Sequence, residues 1–321
     1  MKKEIIYYMD SGFREEFQIE GYRFVGKTIK EGKADHGEKA ACIVGAMRGN
    51  EFQQLYICAL LINQLTKLEQ SGVIVGNNEI LVIPCLNNMS MNVGRRFWTS
   101  DNTDINRQFP GNAFGEPTSR IAAAVMDAVK GYRYGIQFPS FYMDGEFIPH
   151  VRMMETGKES TSLANLFGLP YVVVGKTRAY DCKTLNYNWQ ISGTEAFSLY
   201  TGNTEQIDER AARQAVSAVL RFLTRMGILR YNCHNGYIAS ILDEVDLVSV
   251  KATAAGFFRS LVKVNTEVER GQLLGEIIDP YKGDVISEIR SAADGILFYE
   301  STRPIILQNS IAFQIIKKLH E

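Results

Sequence analysis

Seven residues, Gly45-Ala46-Met47-Arg48-Gly49-Asn50-Glu51, constrain the fold of this chain more than any other stretch. They follow an apolar strand, Ala40 to Val44, and open an apolar helix through Leu55, Leu60 and Leu61. Residues three apart at the start of a helix share one face, so Arg48 and Glu51 point the same way. The pattern repeats along the chain. Candidate strands are Ile5 to Met9, Ala40 to Val44, Ile80 to Pro84, Tyr134 to Pro139, Tyr171 to Val174 and Ala196 to Leu199. Candidate helices are Phe52 to Gln70, Arg120 to Val129, Ser162 to Phe167 and Asp208 to Met226, the last with Asp208 as its N-cap. This alternation predicts an α/β fold, a mixed or parallel sheet sandwiched by helices. Functional residues in such sheets collect at the carboxyl ends of strands, where Arg48, Pro84, Pro139 and Tyr200 all fall.

The segment Glu79 to Gly111 reads EILVIPCLNNMSMNVGRRFWTSDNTDINRQFPG. It resembles the succinylglutamate desuccinylase/aspartoacylase family. Members of that family carry a strand ending in Pro, then Asn, then an Arg nine residues on, then D-L-N-R-x-F-P-G. The matching positions are Pro84, Asn87, Arg96, Asp104, Asn106, Arg107, Phe109, Pro110 and Gly111. The turn at Gly45 is similar to the G-x-H-G-x-E turn of zinc carboxypeptidases and their deacylase relatives, with Ala46 at the first Gly. The resemblance implies a zinc-carboxypeptidase-like sheet with a smaller C-terminal β-domain. It also implies that Arg96, Asn106 and Arg107 bind a substrate carboxylate and polarise the scissile carbonyl. A plainer reading pairs Asp104 with Arg107 as a structural ion pair.

At the other catalytic positions the residues depart from the family pattern. Glu51 stands at a zinc ligand, but Arg48 takes the first His. Ile136-Gln137-Phe138-Pro139-Ser140-Phe141 matches I-D-L-H-S-G and puts Pro139 at the second His. Ser198-Leu199-Tyr200-Thr201-Gly202 matches T-x-E-x-G and puts Tyr200 at the general base. A guanidinium has no lone pair to give a metal. Arg48 and Glu51 are therefore expected as an ion pair within about 4 Å, with no cofactor at the ordinary site.

Two functions follow from different classes. The first is a binding protein on a hydrolase fold that takes a small carboxylate-bearing or peptide-like ligand, with the ordinary zinc hydrolysis lost. Arg48, Arg96 and Arg107 would supply the cations, with Asn106 and His150 beside them. The second is an active metal-dependent amide hydrolase. Zinc would be held at displaced ligands, Glu51 and His150 with Glu155 or Asp144, and Arg107 would stabilise the oxyanion. His36, His234 and His320 read as ordinary surface or terminal residues. Cys85 and Cys182 are the candidate thiol nucleophiles, but each reads first as a small packed or loop residue. The run Asn186-Tyr187-Asn188-Trp189-Gln190 suits either a pocket wall for a polar ligand or a packed strand edge or loop.

Composition sets the outer limits. The 321 residues carry a formal net charge of −1, and no basic stripe suggests nucleic acid or a membrane surface. The five cysteines lack C-x-x-C spacing, which predicts reduced thiols and a cytoplasmic setting. After Leu229 the texture turns β-rich and glycine-punctuated, and Val268 to Gly275 looks like a barrel-sandwich turn. The expected domains are residues 1–228 and 229–321.

Overall fold

The computed structural model describes residues 1–10, 16–26 and 37–318; His36 and His320 lie outside them. In chain order the strands are β1 (Lys2–Met9), β2 (Phe17–Val25), β3 (Glu38–Ala46), β4 (Asn78–Cys85), β5 (Tyr134–Gln137), β6 (Gly145–Phe147), β7 (His150–Glu155), β8 (Tyr171–Lys176), β9 (Glu195–Tyr200) and β10 (Ser240–Asp243). They continue as β11 (Leu247–Lys251), β12 (Gly256–Ser260), β13 (Glu267–Val268), β14 (Leu273–Ile278), β15 (Val285–Arg290), β16 (Gly295–Ser301), β17 (Ile305–Ile306) and β18 (Ile311–Lys317). The helices are α1 (Phe52–Gln70), α2 (Asn88–Met91), α3 (Pro117–Val129), α4 (Thr161–Ala164), α5 (Leu185–Ile191) and α6 (Glu209–Arg225).

Two compact units result: Met1–Ser140 with His150–Ile241, and Phe141–Pro149 with Leu242–Glu321. The first unit carries the mixed sheet, in the order β1-β2-β4-β3-β5-β9-β7-β8-β10. Its central pairs β4–β3, β3–β5 and β5–β9 are parallel, whereas β7 runs antiparallel to β9. Side chains alternate across a strand, and the two faces bury separate cores. Ile43, Val82, Ile136 and Phe197 meet Ile57 and Leu61 of α1 and Phe222 of α6. Cys42, Val44, Leu81 and Ala196 meet Ile121 and Val125 of α3 and Leu185 and Trp189 of α5. Helix α5 lies close on β5 because Gly135 has no side chain; a Cβ there would stand 2.7 Å from the Trp189 ring.

Local signals explain where helices begin. Pro117 stands in the first turn of α3, where its missing N–H costs nothing. The Asp208 carboxylate accepts from Ala211 N at 3.0 Å and caps α6 as expected. Three expectations need correction. Ser162 to Phe167 is not one helix but α4 followed by a 3-10 turn at Asn165–Phe167. Asn186 to Gln190 is neither strand edge nor loop but the body of α5, capped by the Thr184 hydroxyl. The unit boundary falls after Ile241, not after residue 228. Leu229 bridges Ile74, Tyr237 N donates to Gly168 O, and Ser240 N donates to Pro170 O, which tie this stretch to the first unit.

The second unit holds two antiparallel sheets, β11-β18-β16-β13 with β6 beside β16, and β15-β14-β12-β17. Leu274, Ile277, Leu297, Phe313 and Ile315 fill the core between them. The early segment Phe141–Pro149 belongs here because β6 pairs with β16, Phe147 opposite Tyr299. Among the described residues no helix is long and apolar enough to cross a membrane.

A charged network, partly buried, links β1, β2 and β4 of the main sheet. Arg23 of β2 grips Glu4 of β1 at 2.6 and 3.1 Å and also pairs with Glu79 of β4, which is fully buried and accepts from the Tyr132 hydroxyl as well. Removing one partner of a buried ion pair leaves the other uncompensated. Arg23→Met is therefore expected to destabilise the protein by about 3 kcal/mol. The readout is the urea unfolding midpoint at constant slope. A shift matching less than a third of that value would show that Tyr132 and the backbone alone satisfy Glu79.

Candidate functional site

Strand β3 ends at Ala46, and Met47 to Asn50 turn the chain into α1. Glu51 occupies the N-cap position of α1, yet its carboxylate does not cap the first turn. It bends back instead. One oxygen accepts from Met47 N at 2.7 Å and Arg48 N at 3.0 Å. The other accepts from Arg48 Nη1 at 3.0 Å, Ser140 Oγ at 2.7 Å and Ser140 N at 3.3 Å. The expected Arg48–Glu51 ion pair is thus present, inside the fold: Glu51 is 0% and Arg48 5% exposed.

A second carboxylate completes the cluster. Asp104 accepts from Arg48 Nε at 3.1 and 3.2 Å and from Nη2 at 2.9 Å, while Arg48 Nη1 also reaches Ser140 Oγ at 2.8 Å. Every nitrogen of the guanidinium is engaged. Burial alone would lower the Arg48 pKa, but Glu51 and Asp104 outweigh it and hold the charge more firmly than in water. The reading of Asp104 as a partner of Arg107 is corrected: Asp104 faces Arg48. Asp104 and Ser140 are the members that sequence reasoning missed, because 56 and 92 residues separate them from Arg48.

Backbone packing fixes the surroundings. Gly49 N donates to Arg96 O at 3.3 Å. A Cβ on Gly49 would lie 2.3 Å from Arg95 O and 2.5 Å from Ser90, so only glycine lets the loop press onto the turn. Arg96 itself is exposed, with its guanidinium 5.9 Å from the Phe97 ring centre. Asn106 turns its side chain to the start of α5. It is 7% exposed, and its side-chain oxygen accepts from Leu185 N at 3.2 Å, which sets the start of α5. Arg107 differs from Arg48. Its side chain is 38% exposed, Nη1 donates to Tyr180 O at 2.9 Å and stands 3.5 Å from Asp181, and the guanidinium lies 4.9 Å from the Tyr180 ring centre. Among the described residues its Nε and Nη2 donate to nothing.

The other predicted positions come together through strand register. Val44 pairs with Gln137 and Gln137 with Ser198, so Arg48, Pro139 and Tyr200 all lie at or just beyond the carboxyl ends of neighbouring strands. Because β7 is antiparallel to β9, its first residue, His150, emerges opposite Tyr200. The two rings stack at 5.1 Å with an 11° tilt, and His150 is fully buried. His150 is therefore part of the packed interior behind Tyr200.

Zinc takes lone pairs from Cys, His, Asp or Glu. Arg48 offers none, and both oxygens of Glu51 are already engaged by donors. Among the described residues no three His, Cys, Asp or Glu side chains are grouped to hold a metal. The displaced set of Glu51 and His150 with Glu155 or Asp144 is not assembled. The residues at this turn do not fit a zinc ion. Nor does Cys85 offer a thiolate, since burial pushes its thiol up to about 12.

A family model described as succinylglutamate desuccinylase/aspartoacylase catalytic domain matches residues 38–226, more than half of the chain. No curated protein matches. Solved structures that are similar include a succinylglutamate desuccinylase/aspartoacylase from Rhodobacter sphaeroides, at 18% identity and a TM-score of 0.74 over 95% of this chain and 91% of that one. The product-bound ectoine utilization protein EutE (DoeB) from Ruegeria pomeroyi shares 17% identity, with a TM-score of 0.77 over 94% and 90%. A family protein from Shewanella amazonensis shares 15%, with a TM-score of 0.76 over 99% of each chain. At these identities the likeness is one of fold.

Proposed function

Because this chain belongs to the succinylglutamate desuccinylase/aspartoacylase family, we propose that it keeps the family's hydrolase fold as a receptor for a small carboxylate-bearing ligand, an N-acyl amino acid or peptide-like acid, without zinc hydrolysis. One observation carries the reading. The Arg48 guanidinium, locked between Glu51 and Asp104, supplies the positive charge that the buried Glu51 and the partly buried Asp104 need. In this reading the ligand's carboxylate is taken by Arg107. Its Nε–Nη2 edge is the fork that binds carboxylate oxygens in pairs, and the Arg96 backbone is tied to the Arg48 turn through its carbonyl, which accepts from Gly49 N. Arg48 and Asn106 hold the site together from within and do not touch the ligand.

Two measurements test this. Protein purified without chelator is expected to contain far less than one zinc per chain by mass spectrometry. Stoichiometric zinc would overturn the proposal in favour of a working metallo-hydrolase. In calorimetry with N-acetylated amino acids, Arg107→Ala is expected to weaken binding about tenfold, close to the ~1.5 kcal/mol of one charge-assisted hydrogen bond at a partly solvated site. Unchanged affinity in that variant would remove Arg107 from the site.

A further inference from the structure

We propose that the outer face of the sheet β15-β14-β12-β17 in the second unit docks on the same face of a second copy of this chain, about a two-fold axis that runs along the sheet between β12 and β14. Side chains alternate across a strand. Phe258, Ile277 and Ile306 turn inward to the core of the unit, so their neighbours Phe257, Ile278 and Ile305 turn outward. Register makes these outward residues one row. Ile305 pairs with Phe257, Phe257 with Ile278, and Ile278 with Val285. An unbroken apolar line therefore crosses all four strands of the sheet. Ile305 is 57%, Val285 48% and Phe257 44% exposed. Single apolar side chains scattered on a surface are ordinary, but a contiguous exposed row marks an interaction face.

Charge decides the occupant. Two residues further along the strands, a second row on this face reads Arg259, Glu276 and Glu288. Arg259 pairs with Glu276, and Glu288 with Arg290, so the face carries two cations and two anions. Neither sign is in excess to attract a strongly acidic or basic partner. A two-fold axis between β12 and β14 reverses the order of the strands and lays each row on itself, as in aligned packing of two sheets. Phe257 of one copy then lies over Ile278 of the other, and Ile305 lies over Val285. The same rotation sets Arg259 of each copy over Glu276 of the other. Together with the pair inside each chain, this makes a four-member cluster in which the signs alternate. One operation thus matches apolar to apolar and cation to anion, which is the self-complementarity that an isologous dimer requires.

The test is sedimentation velocity on the full chain, over a concentration series up to about 100 μM. The wild type is expected to form a dimer. Phe257→Glu is expected to raise the dimer dissociation constant about thirtyfold or more, the effect of losing a central aromatic anchor. Phe257 faces outward, so the variant is expected to fold, checked by circular dichroism. Ile305→Glu, on the two-residue strand β17, is the second variant and is expected to act in the same direction. Arg259→Glu is expected to weaken the dimer as well. Combining it with Glu276→Arg is expected to restore association, because exchanging the two signs leaves the pairing across the axis intact. A wild type that stays monomeric throughout would overturn the proposal and leave the face to a different protein. A dimer that both apolar variants leave intact would also overturn it and place the interface elsewhere on the chain. A double charge variant that associates no better than Arg259→Glu alone would overturn the two-fold arrangement.

Discussion

Arg48→Met is expected to cost about 3–5 kcal/mol of folding stability, the range for stripping one partner from a buried ion pair. Met approximates the length of the arginine stem, so the loss is one of charge and hydrogen bonds and not of volume. It leaves Glu51, which is fully buried, and Asp104, whose side chain is 15% exposed, without their shared cation. Ser140 and the backbone N–H groups of Met47 and Arg48 still donate to Glu51, which places the effect below that of a bare charge. The measurement is the unfolding midpoint in urea, with a fall in melting temperature of roughly 10 °C for a chain of this size. Adding Glu51→Gln to Arg48→Met should recover part of the loss, because neutral Gln no longer needs the guanidinium. A double variant as unstable as the sum of its single variants would show that Arg48 stabilises the turn by packing and not by pairing.

The second large effect is a gain. On the proposed reading, Arg48→His, Pro139→His and Tyr200→Glu together are expected to give a chain that binds zinc stoichiometrically. The strand register places all three positions at or just beyond the ends of β3, β5 and β9. Glu51 supplies the third ligand, and the Arg48→His change removes one of the three donors now on its Oε1, leaving Ser140 to be displaced by the metal. Uptake should rise with pH through the range where imidazole loses its proton, about 6 to 7, because only neutral His ligates. Zinc binding should return before activity, since coordination tolerates errors that catalysis does not. Pro139→His carries the main folding risk, because Pro139 is buried in the stretch that positions Ser140 against Glu51. A folded triple variant that takes up no zinc would show that at least one of the three positions is misassigned.

Local pattern alone located much of this molecule. Helix α1 runs from Phe52 to Gln70 as its apolar spacing predicted, and Asp208 caps α6, because capping and periodicity are decided by residues within a turn or two of one another. The Arg48–Glu51 pair was legible for the same reason: three residues at a helix start leave little choice of direction. The motif DINRQFPG did not reveal which partners its side chains take. Asp104 and Arg107 are neighbours in sequence, yet Asp104 turns to Arg48 and Arg107 to Tyr180 and Asp181. Asn106 holds α5 in place, and nothing in its local sequence distinguishes that from facing a ligand. The partners in each case are 56 to 79 residues away in the chain. Only the packing together of the segments that follow β3, β4 and β8 brings them within reach, and a buried charge takes whichever opposite charge the packing delivers to it. Sequence thus determined the elements, the family and the identity of the residues at the turn. Tertiary structure decided which of those residues neutralise one another inside the protein and which, like Arg107, are left with hydrogen-bonding capacity to offer.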